Sequence, residues 1–489
     1  MATQPLVTDT SFFGHPRGLS TLFFTEMWER FSYYGMRAIL ILYLTAQYQN
    51  GGLGMDKTTA GAIYGIFTAS VYLLSLPGGW VADRILGQRK AVLYGGVIIA
   101  VGNALLAAPL IWTFYLGLGL ICVGTGLLKT NASTMVGSLY SKEDKRRDAG
   151  FSIYYVGINL GAFLSPLVVG YVGQTISWRL AFLFVTAGMT LGIIQYVVTQ
   201  RHLGDAGLQP ATPPGPAEKK QLAMGLAGVV GLPILFGLLQ VLGTTEFSAT
   251  AIADGFSVLM ATCFIGIFVV LWAACKPGQE RKNIAVILCL SMASAVFWSM
   301  FEQAGSTLNL FADEKTNNVA FGMAYPSSWF QSVNSLWLFA LTPLLTMLWF
   351  KLGPREPSVP AKFSLALLFV GLGFLILVPP AVSADLGIKV SPFWLVLTYL
   401  LHTIGELCLS PVGLSAMTRL APARFGGVIM GVFFMSIATG NFIGGRLAGF
   451  YESMKLEQLF LYVALVAMAA GGLLAVFVKP LRRMIGEAK

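Results

Sequence analysis

The sequence predicts an all-helical, polytopic membrane protein, and three observations carry that expectation. The 489 residues are 56% hydrophobic and only 11% charged, with a mean hydropathy of +0.72, far from the composition of soluble domains. Fourteen apolar runs are each long enough to cross a bilayer. If both termini lie inside, 23 of the 32 Lys and Arg residues fall in cytoplasmic segments and five on the opposite side, the remaining four lying within spans. That alternation follows the positive-inside rule, so the net charge of +10 records topology rather than a nucleic-acid partner.

The runs fall at 22–48, 59–82, 91–108, 111–136, 150–172, 178–199, 222–242, 255–274, 284–311, 328–350, 363–378, 392–418, 426–450 and 459–478. Arg17 precedes a first run that carries charges and reads as a retained helix, not a cleaved signal. Residues 204–220, which include Gln-Pro-Ala-Thr-Pro-Pro-Gly-Pro-Ala-Glu-Lys-Lys, read as a cytoplasmic linker between six spans and eight. The two runs after it hold no ionisable residue in their apolar centres and are expected to be lipid-facing accessory helices. Setting them aside leaves a bundle at 1–200, a linker at 201–221, the accessory pair at 222–275 and a second six-helix bundle at 276–489. The five cysteines, at 122, 263, 275, 289 and 408, show no metal-ligand spacing and read as packing residues.

Chemistry is concentrated where charge interrupts apolar helix. Thr25 to Arg37 reads Thr-Glu-Met-Trp-Glu-Arg-Phe-Ser-Tyr-Tyr-Gly-Met-Arg. At 100° per residue, Glu26, Arg30, Tyr33 and Arg37 share a stripe about 60° wide with Glu29 beside it. A charge at the bilayer centre costs roughly 2.5–3.5 kcal/mol on insertion scales, so this face implies a polar cavity. Lys129, Glu302, His402, Glu406 and Arg446 are the other ionisable residues stranded in spans. Trp298 with Glu302, and Glu406 with Ser410, are i,i+4 pairs able to present one face, as Gln331 and Asn334 do at i,i+3. These groups could form structural ion pairs between halves. Alternatively, cations on the first half and acids on the second suit a dipolar ligand, its amine at Glu406 and its carboxylate at Arg37 and Lys129. His402 reads as a hydrogen-bonded packing residue and Arg446 as a snorkelling one.

Two resemblances organise these residues. Gly79-Trp-Val-Ala-Asp83-Arg84-Ile-Leu-Gly87-Gln-Arg89-Lys90 resembles the loop after the second span of major facilitator transporters, whose two six-helix bundles enclose a midplane cavity. Glu26-Met-Trp-Glu29-Arg30-Phe-Ser-Tyr-Tyr-Gly35 matches the E-x-x-E-R-F-x-Y-Y-G motif of the proton-dependent oligopeptide transporters. Phe151 to Phe163, Phe297-Trp298 with Phe301-Glu302-Gln303, and Gly405-Glu406-Leu-Cys-Leu-Ser410-Pro411 resemble further signatures of that family, the two accessory spans its bacterial branch. The resemblance implies that Glu26, Glu29, Arg30, Arg37 and Glu302 couple protons, Glu302 pairing with Arg37. It also implies that Arg30 and Lys129 meet the peptide carboxylate, that Glu406, Asn159 and Asn334 hold its amino terminus, and that Tyr33, Tyr34, Tyr72, Trp298 and Ser410 line pockets along it. The second-span histidine of animal relatives is missing here, as is their large domain, since 379–391 is short.

The expected function is a proton-driven symporter of di- and tripeptides, without enzymatic activity or cofactor, acting as a monomer in a bacterial inner membrane with both termini cytoplasmic. A transporter of nitrate or another small anion shares the fold, and a non-translocating peptide sensor would share the pocket. No His-metal or Ser-Lys constellation suggests an enzyme.

Overall fold

The computed structural model describes residues 9–141, 144–210, 215, 248–320 and 322–486. Among these, twelve helical segments are long and apolar enough to cross a membrane. The charged first helix, α1 (Arg17–Thr45), adds to them: its 29 residues reach about 44 Å at 1.5 Å per residue. The span expected at 222–242 and most of the linker lie outside the described residues.

The first bundle follows in chain order. α2 (Lys57–Leu73) starts at Asp56, whose carboxylate accepts the Thr59 amide at 2.8 Å as an N-cap, and α3 (Ser75–Val81) continues it. α4 (Gln88–Leu106) and α5 (Ile111–Ser138) run antiparallel with backbones almost touching. A Cβ on Gly95 would lie 2.6 Å from the Gly124 carbonyl oxygen, and one on Gly117 2.6 Å from that of Gly102. Only small residues permit such an approach, which replaces the hydrophobic effect as the packing force in lipid. α6 (Arg147–Thr175) and α7 (Trp178–Thr199) close the bundle against α1. The start of the expected linker is tied down here: Arg89 donates to the carbonyls of Gly204 and Ala206.

The second bundle comprises six spans. After α8 (Ala249–Ala274) come α9 (Gln279–Phe301) with α10 (Thr307–Glu314), α11 (Phe330–Leu352), and α12 (Val359–Leu375) with α13 (Val378–Asp385). α14 (Phe393–Leu420), α15 (Gly426–Leu447) and α16 (Leu456–Met484) complete it. A short antiparallel hairpin, Val319–Ala320 against Met323–Ala324 with Val319 opposite Ala324, lies between α10 and α11. The Asp385 carboxylate accepts the Leu456 and Glu457 amides, capping α16.

One expectation is corrected and one refined. The run expected at 284–311 is present as a span over Gln279–Glu314, built from α9, a 3₁₀ turn over Glu302–Gly305, and α10. Gly305, in the turn, packs against Arg37 and Tyr64: a Cβ there would sit 2.9 Å from Arg37 Nε and collide with the Tyr64 hydroxyl. Arg446 does not snorkel alone, for its Nη2 pairs with Asp254 of α8 at 2.7 Å. The expected accessory span began one residue too late to include this acid. One side of α8 is exposed, with Val258 and Val269 on it, while Ala253, Met260, Phe268 and Leu271 are buried.

The bundles meet along α2 with α15 and α6 with α11. A Cβ on Gly61 would lie 2.6 Å from the Gly445 carbonyl oxygen, and one on Gly65 2.8 Å from that of Phe442. Polar bonds reinforce this seam at the end opposite the basic loops. Lys57 reaches Glu314 at 2.7 Å and Glu452 at 3.4 Å, Gln174 donates to Asp313 and Ser327, and Asn309 donates to the Ala38 carbonyl at 2.8 Å. That end of the molecule is closed.

Candidate functional site

Between the closed seam and the basic end lies a cavity of about 270 Å³ lined by both bundles. Its size is near the lower end of small-molecule pockets, roughly 300–1,000 Å³, which suits a short ligand.

α1 supplies the polar spine. Glu26, Arg30, Tyr34 and Arg37 line the cavity, whereas Glu29 and Tyr33 do not. This corrects the expected stripe. Tyr33 is buried against α2, its ring stacked on Phe67 at 6.5 Å, so α2 covers the flank that helical angles alone would expose. The open face is turned by about 50° toward Tyr34. Glu29 is buried yet belongs to the same network: Arg30 Nε lies 2.5 Å from Glu29 and 3.1 Å from Glu26. Tyr154 of α6 donates to Glu26 at 2.6 Å. Arg30 Nη2 is buried without a hydrogen-bond partner among the described residues, which leaves a guanidinium donor beside the cavity.

Arg37 occupies the closed end. Its Nη2 pairs with Glu302 at 2.6 Å and its Nε donates to the Tyr64 hydroxyl at 2.7 Å. Both charges are buried, Arg37 5% and Glu302 4% exposed, so losing either would strand the other in a medium that cannot solvate it. The pair joins α1 to the turn after α9 and therefore joins the two bundles.

Lys129 projects from α5 with its ammonium 3.8 Å from the Tyr72 ring centroid, a cation–π contact. Across the cavity, Asn334 of α11 donates to Glu406 at 3.1 Å and to Thr403 Oγ1 at 3.0 Å, which fixes the carboxylate's orientation. Trp298, Asn159 and Ser410 also line the space. The Asn159 amide donates back to the Tyr155 carbonyl at 2.9 Å, while Trp298 Nε1 and Ser410 Oγ have no hydrogen-bond partner among the described residues. Of the fourteen expected site residues, twelve line this cavity.

His402 lines the cavity as well. It packs between Phe301 and Phe374, with ring centroids 6.3 and 5.1 Å away. The packing part of the expectation is met, but neither ring nitrogen makes a hydrogen bond of ordinary geometry among the described residues. Sequence reasoning missed Tyr155, Phe301, Tyr399, Phe433, Phe434 and Ile437, which give the cavity its apolar walls, and Tyr64, which orients Arg37. Tyr64 falls i,i+8 from Tyr72 on one helix, the single signal that could have found it.

The arrangement has two poles. The Lys129 ammonium and a spare Arg30 donor lie on the first bundle, a hydrogen-bonded carboxylate lies on the second, and the buried Arg37–Glu302 ion pair lies between them.

Comparison with known proteins agrees with this geometry. The model of the POT family matches residues 89–468. An uncharacterised transporter of Bacillus subtilis, YclF, is 42% identical over 98% of this chain and 96% of its own length. A di-/tripeptide transporter of Lactococcus lactis subsp. cremoris is 36% identical, covering 99% of both chains. Among solved structures, a peptide transporter POT in complex with sulfate superimposes with a TM-score of 0.92 at 42% identity, covering 97% of this chain and 96% of that one. A POT family transporter in complex with 5-aminolevulinic acid gives 0.91 at 35% identity, covering 97% and 98%. Family model, full-length identity and superposition converge, and the chain belongs to the POT family of transporters.

Proposed function

We propose that this chain is a proton-coupled symporter that imports di- and tripeptides by alternating access across a bacterial inner membrane, with both termini cytoplasmic. The observation that carries the reading is the cavity's polarity: the Lys129 ammonium and the spare Arg30 Nη2 on one side, Glu406 with Asn334 on the other. A short peptide is a zwitterion whose ends match those poles. The names of the relatives support this, as does a family structure holding 5-aminolevulinic acid, a molecule with one amine and one carboxylate.

Coupling runs through Arg37. Ionised Glu302 holds Arg37 and draws the bundles together at the closed end, which the positive-inside distribution makes the outer end. Protonation of Glu302 removes the attraction and frees the guanidinium for a peptide carboxylate, so proton and peptide binding become linked equilibria. Glu26, Glu29, Arg30 and Tyr154 form a second charge network at the basic side, and protonation of one carboxylate there would release Arg30 toward ligand. The roles follow: Asn159 and Asn334 beside the amino terminus, Tyr34, Tyr72, Trp298 and Ser410 along the peptide. The cycle requires no cofactor, only the proton gradient, and one chain contains the whole site.

A nitrate-type transporter would use the cations but gains nothing from Glu406 beside its ligand, which disfavours it. Uptake into proteoliposomes with an imposed pH gradient tests the proposal, using di- and tripeptides against free amino acids and nitrate. Accumulation of peptides alone is expected. Preference for nitrate, or binding without counterflow, would overturn it.

A further inference from the structure

The helix α8 is fastened to the second bundle at both ends yet packs on the first. Toward the closed end Asp254 pairs with Arg446 of α15 at 2.7 Å, and the Phe256 and Phe442 rings meet with centroids 5.1 Å apart. At the basic end Arg424, in the turn before α15, donates to the Ala274 carbonyl at 2.9 Å. Between these ties Ala253 and Met260 of α8, with Ala438 and Phe442 of α15, close over Ala62 and Ala69 of α2 in one buried cluster. The alanines let the three helices approach closely where the bundles meet.

Tyr72 packs against that cluster and also lines the central cavity. It stands in the last turn of α2, where the chain passes through Leu74 into α3, so its ring is placed largely by what packs around it. On one side α5 grips this junction, Thr130 Oγ1 donating to the Ser75 carbonyl at 3.2 Å. On the other lies the α8 cluster. Lys129, next to Thr130 on α5, holds its ammonium 3.8 Å from the Tyr72 ring centroid. A cation–π attraction acts only while the cation stays over the ring face, so the place of the ring decides where this charge stands. No residue of α8 lines the central cavity; its reach to the ligand runs through Tyr72.

We propose that α8 is a positioning element for the carboxylate end of the cavity: Met260 backs the Tyr72 ring, and the ring sets the Lys129 ammonium where a peptide carboxylate meets it. This rests on the carboxylate subsite proposed above. Met260 suits the task, since its unbranched thioether fills irregular gaps between helices, and it is 4% exposed. The ties to Arg446 and Arg424 make α8 move with the second bundle, whereas Tyr72 and Lys129 belong to the first. Rocking of one bundle against the other therefore shifts the support behind the ring, and the cationic subsite is re-formed in each state of the cycle.

Calorimetric titration of the purified full chain with Ala-Ala and with its C-terminal amide tests this, alongside the fluorine resonance of 3-fluorotyrosine placed at position 72. Met260→Ala should weaken Ala-Ala at least fivefold, leave the amide within twofold and move the resonance. Met260→Leu, which refills the space, should restore both. Leu259→Ala, on the exposed side of the same helix, should change neither. In a Lys129→Gln background Met260→Ala should add nothing, because its effect passes through the ammonium. Equal losses for acid and amide, additive losses in the double variant, or an unmoved resonance overturns the role of α8. Loss of Ala-Ala binding in Lys129→Gln but not in Met260→Ala removes α8 alone, whereas Lys129→Gln that spares Ala-Ala removes the carboxylate subsite and this proposal with it.

Discussion

Replacing Glu406 with Gln separates charge from shape at the proposed amine end of the cavity. The amide oxygen of Gln still accepts from Asn334, which now sits 3.1 Å from the carboxylate and 3.0 Å from Thr403 Oγ1. The scaffold therefore survives and only the negative charge is lost. Two unit charges 4 Å apart interact by about 4 kcal/mol at an effective dielectric of 20, and a charged hydrogen bond exceeds a neutral one by roughly 1–2 kcal/mol. A loss of about 2–4 kcal/mol corresponds to roughly 30- to 1,000-fold weaker binding. Calorimetric titration of purified protein with Ala-Ala and with N-acetyl-Ala-Ala measures it. Acetylation removes the same charge from the other side, so the two changes should be strongly non-additive. The acetylated peptide should bind wild type weakly and the variant about equally weakly. If Glu406→Gln lowers affinity less than threefold, or lowers it equally for both peptides, the carboxylate does not meet the amino terminus.

Three further outcomes follow from the geometry. Lys129→Gln, removing the ammonium over Tyr72, should weaken a free dipeptide by about tenfold or more while leaving its C-terminal amide nearly unaffected, by the same titration. Gly65→Val places a side chain where a Cβ already lies 2.8 Å from the Phe442 carbonyl oxygen, so spin labels flanking α2 and α15 at the closed end should report longer distances by pulsed resonance. On the basic side, His15 bonds Tyr140 at 2.9 Å; burial first, and then the Arg146 charge, pull its pKa below the usual value. The folded state thus disfavours the imidazolium, and docking of residues 9–16 is fully stable above about pH 6.5 and weakens as pH falls below it. Hydrogen-exchange protection of that segment, taken relative to the intrinsic exchange rate at each pH, should fall on acidification, and His15→Gln should remove that fall.

The charged half of the site was legible because lipid makes charge expensive: Glu26, Arg30, Arg37, Lys129, Glu302 and Glu406 each interrupt an apolar run, and all line one cavity. Its apolar half was not. Phe301, Phe433, Phe434 and Ile437 look the same in sequence whether they face ligand, a neighbouring helix or lipid. Tyr33 shows the limit of helical angles, since which flank α2 covers depends on tertiary packing. The crowding at Gly305 was hidden for a related reason: Gly305 reads as one more small residue until Arg37 and Tyr64 are seen against it. Asp254 was overlooked because it lies at a span boundary, where hydropathy defines ends to within a few residues only.

The central claim is that one proton on Glu302 decides whether Arg37 holds the bundles together, across the 2.6 Å bond that now joins them. Glu302→Gln mimics the protonated state permanently. Reconstituted side by side with wild type, it should exchange labelled dipeptide in counterflow yet fail to accumulate it when an inward proton gradient is imposed. Accumulation by the variant at the wild-type level would contradict the account.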